Sequence, residues 1–335
     1  MTLPHDPLWP RAGNWPAWPD SEAQAGAQHP DAAIIGVPTH ATSLSPTGAH
    51  ATPAAIRQAL QRFSPTLMGP PAIDLRDHIT VADAGDIHDP DTAEGIERTV
   101  EAVRSLSHSV RRVIALGGDN SLTYPVARGA GARGLITFDA HFDLRDGVSN
   151  GSPVRRLIDD APTGERIDPH RIVQIGVADY ANSAAYAERA AGYGIRVVTL
   201  DEFRARGIAD VATEALRIAG GEPVITGAGV QDAGELPDAG GVPDAGGLPD
   251  AADSRIHLDI DVDVCDRSVA PGCPASVPGG LHAWELRSLT RAIAHDPRVV
   301  SADIAEVDAT ADTPDGRTVR LAALCVLELL AGMVR

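Results

Sequence analysis

Leu135–Asp143 reads L-I-T-F-D-A-H-F-D, a strand-length run that ends in a carboxylate and carries two more ligand-type side chains just beyond it. Ile256–Asp263 (I-H-L-D-I-D-V-D) repeats the design. Outward from these two stretches lie further short apolar runs at Ala32–Val37, Arg112–Leu116, Ile172–Gly176, Arg196–Leu200 and Val299–Val307, and a strand ending in Val81–Asp86. Helical patterns separate them. Thr52-Pro53 opens a helix through Ala54–Phe63, with Pro in its first turn, and another runs from about Thr92 to His108. Short apolar strands alternating with helices predict a mainly parallel sheet covered on both faces, a three-layer α/β/α fold. Ligands bind such sheets beyond the carboxyl ends of the strands. The polar residues that end these runs are therefore the candidates for chemistry.

Composition narrows the function. The chain has 335 residues and a formal net charge of −18, and every basic residue is Arg. That length buries a large core, built from Ala, Val, Leu and Ile because aromatics supply only 4%. An acidic chain with no basic stripe is expected to bind no nucleic acid. No run of about 18 apolar residues occurs, so no membrane span is expected. The N-terminus, M-T-L-P-H-D-P-L-W-P, lacks the basic and apolar regions of a secretory signal. Cys265, Cys273 and Cys325 form no C-x-x-C pair, which fits a reducing compartment, and the expected location is cytoplasmic.

Two segments stand apart. Residues 1–31 show no periodicity and read as an extended arm, with Trp9, Trp15 and Trp18 pinning it to the body or to a neighbouring subunit. The folded body then spans 32–335. Residues 230–253 read V-Q-D-A-G-E, L-P-D-A-G-G, V-P-D-A-G-G, L-P-D-A-A-D, one hexapeptide four times over. Acidic and rich in Pro and Gly, it cannot bury a face and is expected to be a disordered surface insertion. A calcium-binding acidic loop is the functional alternative.

In extended geometry, residues two apart share a face. Asp139, His141 and Asp143 are therefore expected to meet one site, and Asp259, Asp261 and Asp263 another. For either cluster alone, a polar strand end is the plain alternative. Yet three aspartates interleaved with Ile260, Val262 and Val264 cannot sit buried without cations. Carboxylates with one imidazole suit Mn(II)-like ions better than a thiolate zinc site. Asp139, Asp143, Asp261 and Asp263 would together balance two divalent cations, a pair that activates water as a nucleophile.

On these motifs the chain resembles the ureohydrolases: arginase, agmatinase and formimidoylglutamase. The likeness covers about residues 32–335 apart from the insertion. The family's G-G-D-H stands here as Gly117-Gly118-Asp119-Asn120, its D-A-H-x-D as Asp139–Asp143, and its S-x-D-x-D-x-x-D-P as Asp259–Arg267. A-P-G at Ala270–Gly272 and P-G-G-L at Pro278–Leu281 fix that register. Gly36–Pro38, Asp83–Asp86 and Glu306-Val307 are further matches. The resemblance implies an arginase-like fold, two divalent metal ions (Mn(II) foremost) and a trimer or hexamer. It also implies hydrolysis of a C–N bond in a small amidine or guanidine. The implied metal ligands are Asn120, Asp139, His141, Asp143, Asp261 and Asp263. Asn120 replaces the usual His, Asp259 the usual Ser and Arg267 the usual Pro.

H-F-D-L-R at His141–Arg145, G-S-P-V-R at Gly151–Arg155 and Y-A-N-S at Tyr180–Ser183 look most like formimidoylglutamase. Formimidoylglutamate carries two carboxylates, which a planar Arg fork matches. That branch places Arg145, Asn150, Ser152, Arg155 and Glu306 at the substrate, with Asn150 where arginase and agmatinase have a His. Glu306, Asp143 and His141 form the implied catalytic set: Glu306 holds the amidinium, and Asp143 or Asp263 passes a proton to the departing nitrogen. Two alternatives stay open: an agmatinase or other guanidino-acid hydrolase that releases urea, and a metal-poor scaffold relative. His50, His78, His88 and His282 read as surface or capping residues. Cys265 and Cys273 have no adjacent base, and Gly117-Gly118 lacks a phosphate-loop Lys.

Overall fold

In the computed structural model, which describes residues 6–19, 29–222 and 253–334, eight strands form one wholly parallel sheet. They are β1 (Ala32–Val37), β4 (Val81–Asp86), β5 (Arg112–Gly117), β6 (Gly134–Phe138), β7 (Ile172–Val177), β8 (Arg196–Thr199), β9 (Ile256–Asp261) and β10 (Val299–Ala305). Their order is β4-β1-β5-β10-β9-β6-β7-β8. A two-stranded antiparallel ribbon, β2 (Thr66–Leu67) with β3 (Ile73–Asp74), lies apart. The helices are α1 (Thr52–Leu60), α2 (Ala93–Ser107), α3 (Thr123–Gly129), α4 (Pro153–Asp159), α5 (Ala184–Tyr193), α6 (Leu200–Arg206), α7 (Ile208–Ala219), α8 (Ala283–Ala294) and α9 (Arg317–Gly332).

Every residue of β1, β5, β7 and β9 is buried, which explains why they read as apolar runs rather than alternating ones. One face packs Ile136, Phe138, Leu258 and Ile304 with Leu289, Val326 and Leu329 of α8 and α9. The other packs Leu135 with Tyr124 and Val154, and Val113 with Val103 and Val126. Small differences from the sequence reading lie at element ends. The Val299–Val307 run pairs only to Ala305, and the Ile256–Asp263 run only to Asp261.

The arm closes an edge. Ala17 bridges Asp83 on β4, Trp18 N donates to Asp83 O at 2.7 Å, and Asp83 N donates to Pro16 O at 2.9 Å. Such cover protects a strand edge from foreign pairing. Trp15 and Trp18 pack against the core while Trp9 stays half exposed. The Asp83–Asp86 motif is structural, since both acids clamp Arg57 of α1. The repeat at 230–253 falls outside the described residues apart from Asp253.

Candidate metal centre

The chain leaves β5, passes over β10 and β9, and resumes at β6. A jump of this kind opens a crevice at the carboxyl ends of the strands. The ends of these four neighbours carry the motif residues. Gly118 is required there, because a Cβ would lie 2.0 Å from the backbone oxygen of Thr39.

Asp139, directly after β6, is fully buried. Its Oδ1 accepts from the His141 backbone N at 2.6 Å, and its Oδ2 is buried without a partner. His141 Nδ1 lies 2.7 Å from Asp263 Oδ2 and 3.5 Å from Asp139 Oδ1. The ligand atoms of Asp139, His141 and Asp263 all fall within 4.8 Å of one another. Ala140 N fixes the other Asp263 oxygen at 3.0 Å.

Strand alternation does not deliver these groups, which corrects the expectation from sequence. β9 ends at Asp261, whose carboxylate accepts from Asp263 N at 2.8 Å and starts the 3₁₀ turn Val262–Val264. That turn, not the pleat, aims Asp263. Asp143 likewise sits beyond β6 with φ at 52°, a left-handed conformation that a non-glycine residue holds only at a cost. Its Oδ2 accepts from Asn120 Nδ2 at 2.6 Å. Asn120 Oδ1 accepts from the Thr123 hydroxyl at 2.7 Å, so both ends of the amide are engaged. Glu306, with φ at 61°, takes Asn120 N and Asn150 Nδ2 on Oε1, each at 2.8 Å.

Crowding of acids sets the electrostatics. Burial, then the Asp263 charge, lifts Asp139 to about 6. Burial and the neighbouring acids raise Asp143 and Asp261 as well. Burial pushes Asp263 up too, but the facing His141 outweighs it and holds Asp263 below the usual carboxylate range. Burial works against the His141 cation, yet Asp263 and Asp139 lift that imidazole to about 12. Burial raises Glu306 to about 7 against the Asn150 hydrogen bond. Closely set buried acids such as these ionise together only beside a compensating positive charge.

A cavity of about 330 Å³ opens above the cluster. His141, Asp143, Asp261 and Asp263 form its floor, and Arg145, Asn150 and Glu306 its walls. Ser152 and Arg155 lie outside it. The Ser152 hydroxyl closes on Ser149 within its own loop. Arg155 spans Asp160 and the backbone oxygens of Arg145 and Gly147. Asn182 also lines the cavity and staples the D-A-H-F-D segment. Its Nδ2 donates to Ala140 O at 2.8 Å and its Oδ1 accepts from Phe142 N at 3.2 Å. Sequence offered Asn182 only as part of Y-A-N-S, because nothing local says that its amide closes on a loop some forty residues earlier.

The Arginase family model matches residues 30–227 and 245–332. The chain belongs to the arginase family. The interruption at 228–244 falls largely within the hexapeptide repeats. Within this family the chain is similar to the formimidoylglutamase of Bacillus subtilis (strain 168), with 33% identity over 90% of this chain and 86% of that one. The formimidoylglutamase of Halalkalibacterium halodurans is also 33% identical, over 89% and 86%. The crystal structure of the B. subtilis formimidoylglutamase superposes with a TM-score of 0.80 at 29% identity, covering 99% of this chain and 94% of that one. As in other arginase-family proteins, the acid cluster is a candidate dinuclear metal site. Among the described residues, no helix is long and apolar enough to cross a membrane.

Proposed function

We propose that this arginase-family protein hydrolyses the C–N bond of N-formimidoyl-L-glutamate to L-glutamate and formamide, with two divalent metal ions, Mn(II) foremost. The observation that carries the substrate choice is Arg145. Its exposed guanidinium lines the cavity and, among the described residues, pairs with no carboxylate. A cavity with an acid (Glu306) on one wall and an unpaired Arg on another suits a molecule cationic at one end and anionic at the other. Agmatine, cationic at both ends, would meet Arg145 as a like charge.

The residues fit the metals. Asp139 keeps a buried oxygen without a partner, and the oxygen-and-imidazole donor set suits Mn(II). Asp139, His141, Asp143, Asp261 and Asp263 would hold the pair, whose chemistry is to acidify a water molecule and polarise the amidine. Asn120 and Asn150 fix Glu306 Oε1, so Glu306 orients the amidinium through its other oxygen. Asn120 also steers Asp143. Asp143 or Asp263 carries a proton to the departing nitrogen. Arg145 binds the glutamate carboxylate, and Arg155 holds the loop that presents Arg145. A trimeric or hexameric state, to be read by light scattering, completes the proposal.

The test is hydrolysis by Mn(II)-loaded protein of formimidoylglutamate, agmatine, arginine and guanidinobutyrate. Formamide from the first and no urea from the others is expected. Urea release without formamide would overturn the assignment.

A further inference from the structure

The loop between β6 and α4 sets opposite charges side by side. Arg145 lines the cavity, and Asp146, the next residue, does not. The stem of Arg145 lies on Gly151, where a Cβ would come within 2.8 Å of its Cδ. Arg145 N donates to Gly151 O at 2.9 Å, which closes the loop on itself. Asp146 is a largely exposed carboxylate, one peptide bond from a guanidinium that has no acid of its own. Tethering gives such a neighbour a high local concentration, so it competes with any carboxylate arriving from solution.

Arg189 on α5 holds that competitor away. Its NH1 donates to Asp146 Oδ1 at 2.9 Å and its NH2 to Asp146 Oδ2 at 3.3 Å, and NH1 also donates to Leu144 O at 2.7 Å. One planar fork thus grips the backbone just before Arg145 and the acid just after it, a geometry that Arg offers and Lys does not. The same guanidinium lies 5.7 Å from the ring centroid of Tyr186, about one helical turn earlier, and Tyr186 lines the cavity. Arg155, the other cation at this loop, is taken by Asp160 and by the backbone oxygens of Arg145 and Gly147. Among the described residues, Asp146 therefore ion-pairs with Arg189 alone.

We propose that Arg189 is a positioning residue for substrate choice: by taking Asp146 and pinning Leu144, it leaves the Arg145 guanidinium to the carboxylate of the substrate. This rests on the formimidoylglutamate reading given above. Without Arg189, the Asp146 charge turns on Arg145 and on any anionic substrate entering the cavity.

Steady-state hydrolysis of formimidoylglutamate by the full-length, Mn(II)-loaded protein tests this, at low ionic strength where exposed charges are least screened. The variants are Arg189→Met, Asp146→Asn and the two combined. Arg189→Met should raise KM about fivefold, the upper reach of one exposed charge pair, with kcat little altered. Asp146→Asn alone should leave KM within about twofold of wild type. The double variant should return to within about twofold of wild type, because a neutral amide no longer competes for Arg145. Added salt should narrow the gap between Arg189→Met and wild type. A role in packing alone would give a KM rise that persists in the double variant and ignores salt, and that result overturns the proposal. An unchanged KM in Arg189→Met overturns it equally. Wild-type protein that releases no formamide overturns the substrate reading, and this proposal with it. Should Arg189→Met not fold, Arg189→Gln, which keeps an amide donor for Leu144 O but no charge, is judged by the same outcomes.

Discussion

Asn120 donates its side-chain amide to Asp143 at 2.6 Å while its backbone N–H holds Glu306 at 2.8 Å. One residue thereby couples an acid of the metal cluster to the acid proposed to grip the substrate. The amide oxygen is spent on Thr123, so in this arrangement Asn120 acts on the cluster through Asp143 rather than by facing an ion. Asn120→Ala removes a buried donor from Asp143, and Mn(II) affinity should fall by about 10- to 100-fold, as for other groups that orient metal ligands. Asn120→His should instead tighten binding by adding an imidazole nitrogen. Calorimetric titration of chelator-stripped protein measures both, and an unchanged affinity in the two variants would remove position 120 from the centre.

Asn182→Ala should loosen the centre from the other side. Its amide is the staple that fixes Ala140 O and Phe142 N between the two ligand-bearing turns. Without it, Phe142 N loses its partner, Ala140 O keeps only Ala178 N, and the D-A-H-F-D segment is less firmly set. A fall in Mn(II) affinity of about 10-fold is expected with little change in circular dichroism. Retention of full affinity would show that Ala178 N, bonded to Ala140 O at 3.0 Å, and Gln174, bonded to Phe142 O at 2.8 Å, hold the segment without Asn182.

Much of this was legible in the sequence, and the limits are physical. Strands buried on both faces announce themselves as apolar runs, and acids ending such runs stand out because their burial is costly. The helix-covered parallel sheet and the gathering of acids at its strand ends follow from that pattern; the order of the strands, which brings β6 beside β9, does not. The way Asp263 and Asp143 are aimed does not. A 3₁₀ turn after Asp261 and a left-handed φ at Asp143 are fixed by tertiary contacts, and alternation along a strand gives no hint of either. Long side chains were the least readable. Arg145 and Arg155 look alike in sequence, yet one lines the cavity and the other spans Asp160 and two backbone oxygens.

That difference between the two arginines gives a prediction. Arg145→Ala should raise KM for formimidoylglutamate by about 10- to 100-fold, the worth of one charge-assisted contact, with kcat little altered. Arg155→Ala should act only through the loop, with a smaller effect on KM and some loss of thermal stability. Steady-state kinetics of both variants decide the matter. Equal KM effects would place Arg155 at the substrate too.

Metal binding should strengthen as pH rises from about 5 to 7. In the metal-free protein Asp139 is lifted from 3.8 to about 6 and Glu306 from 4.5 to about 7, burial being the chief cause in each. A carboxyl whose folded-state value is raised favours the protonated fold. Its contribution to stability is complete below the ordinary value and is lost as pH climbs through the raised one. The stripped protein should therefore lose stability across about pH 4 to 7. Cations compete with the proton on Asp139, so each proton displaced steepens Mn(II) affinity by up to about tenfold per pH unit in that window. That gain offsets the loss from the same acids, so the loaded protein should hold its stability where the stripped form loses it. Melting curves of both forms at half-unit steps, with dye-measured proton release on Mn(II) addition at pH 5.5, test the sign. A stripped protein that gains stability from pH 5 to 7, or Mn(II) binding without proton release, would show that these acids are already ionised in the fold.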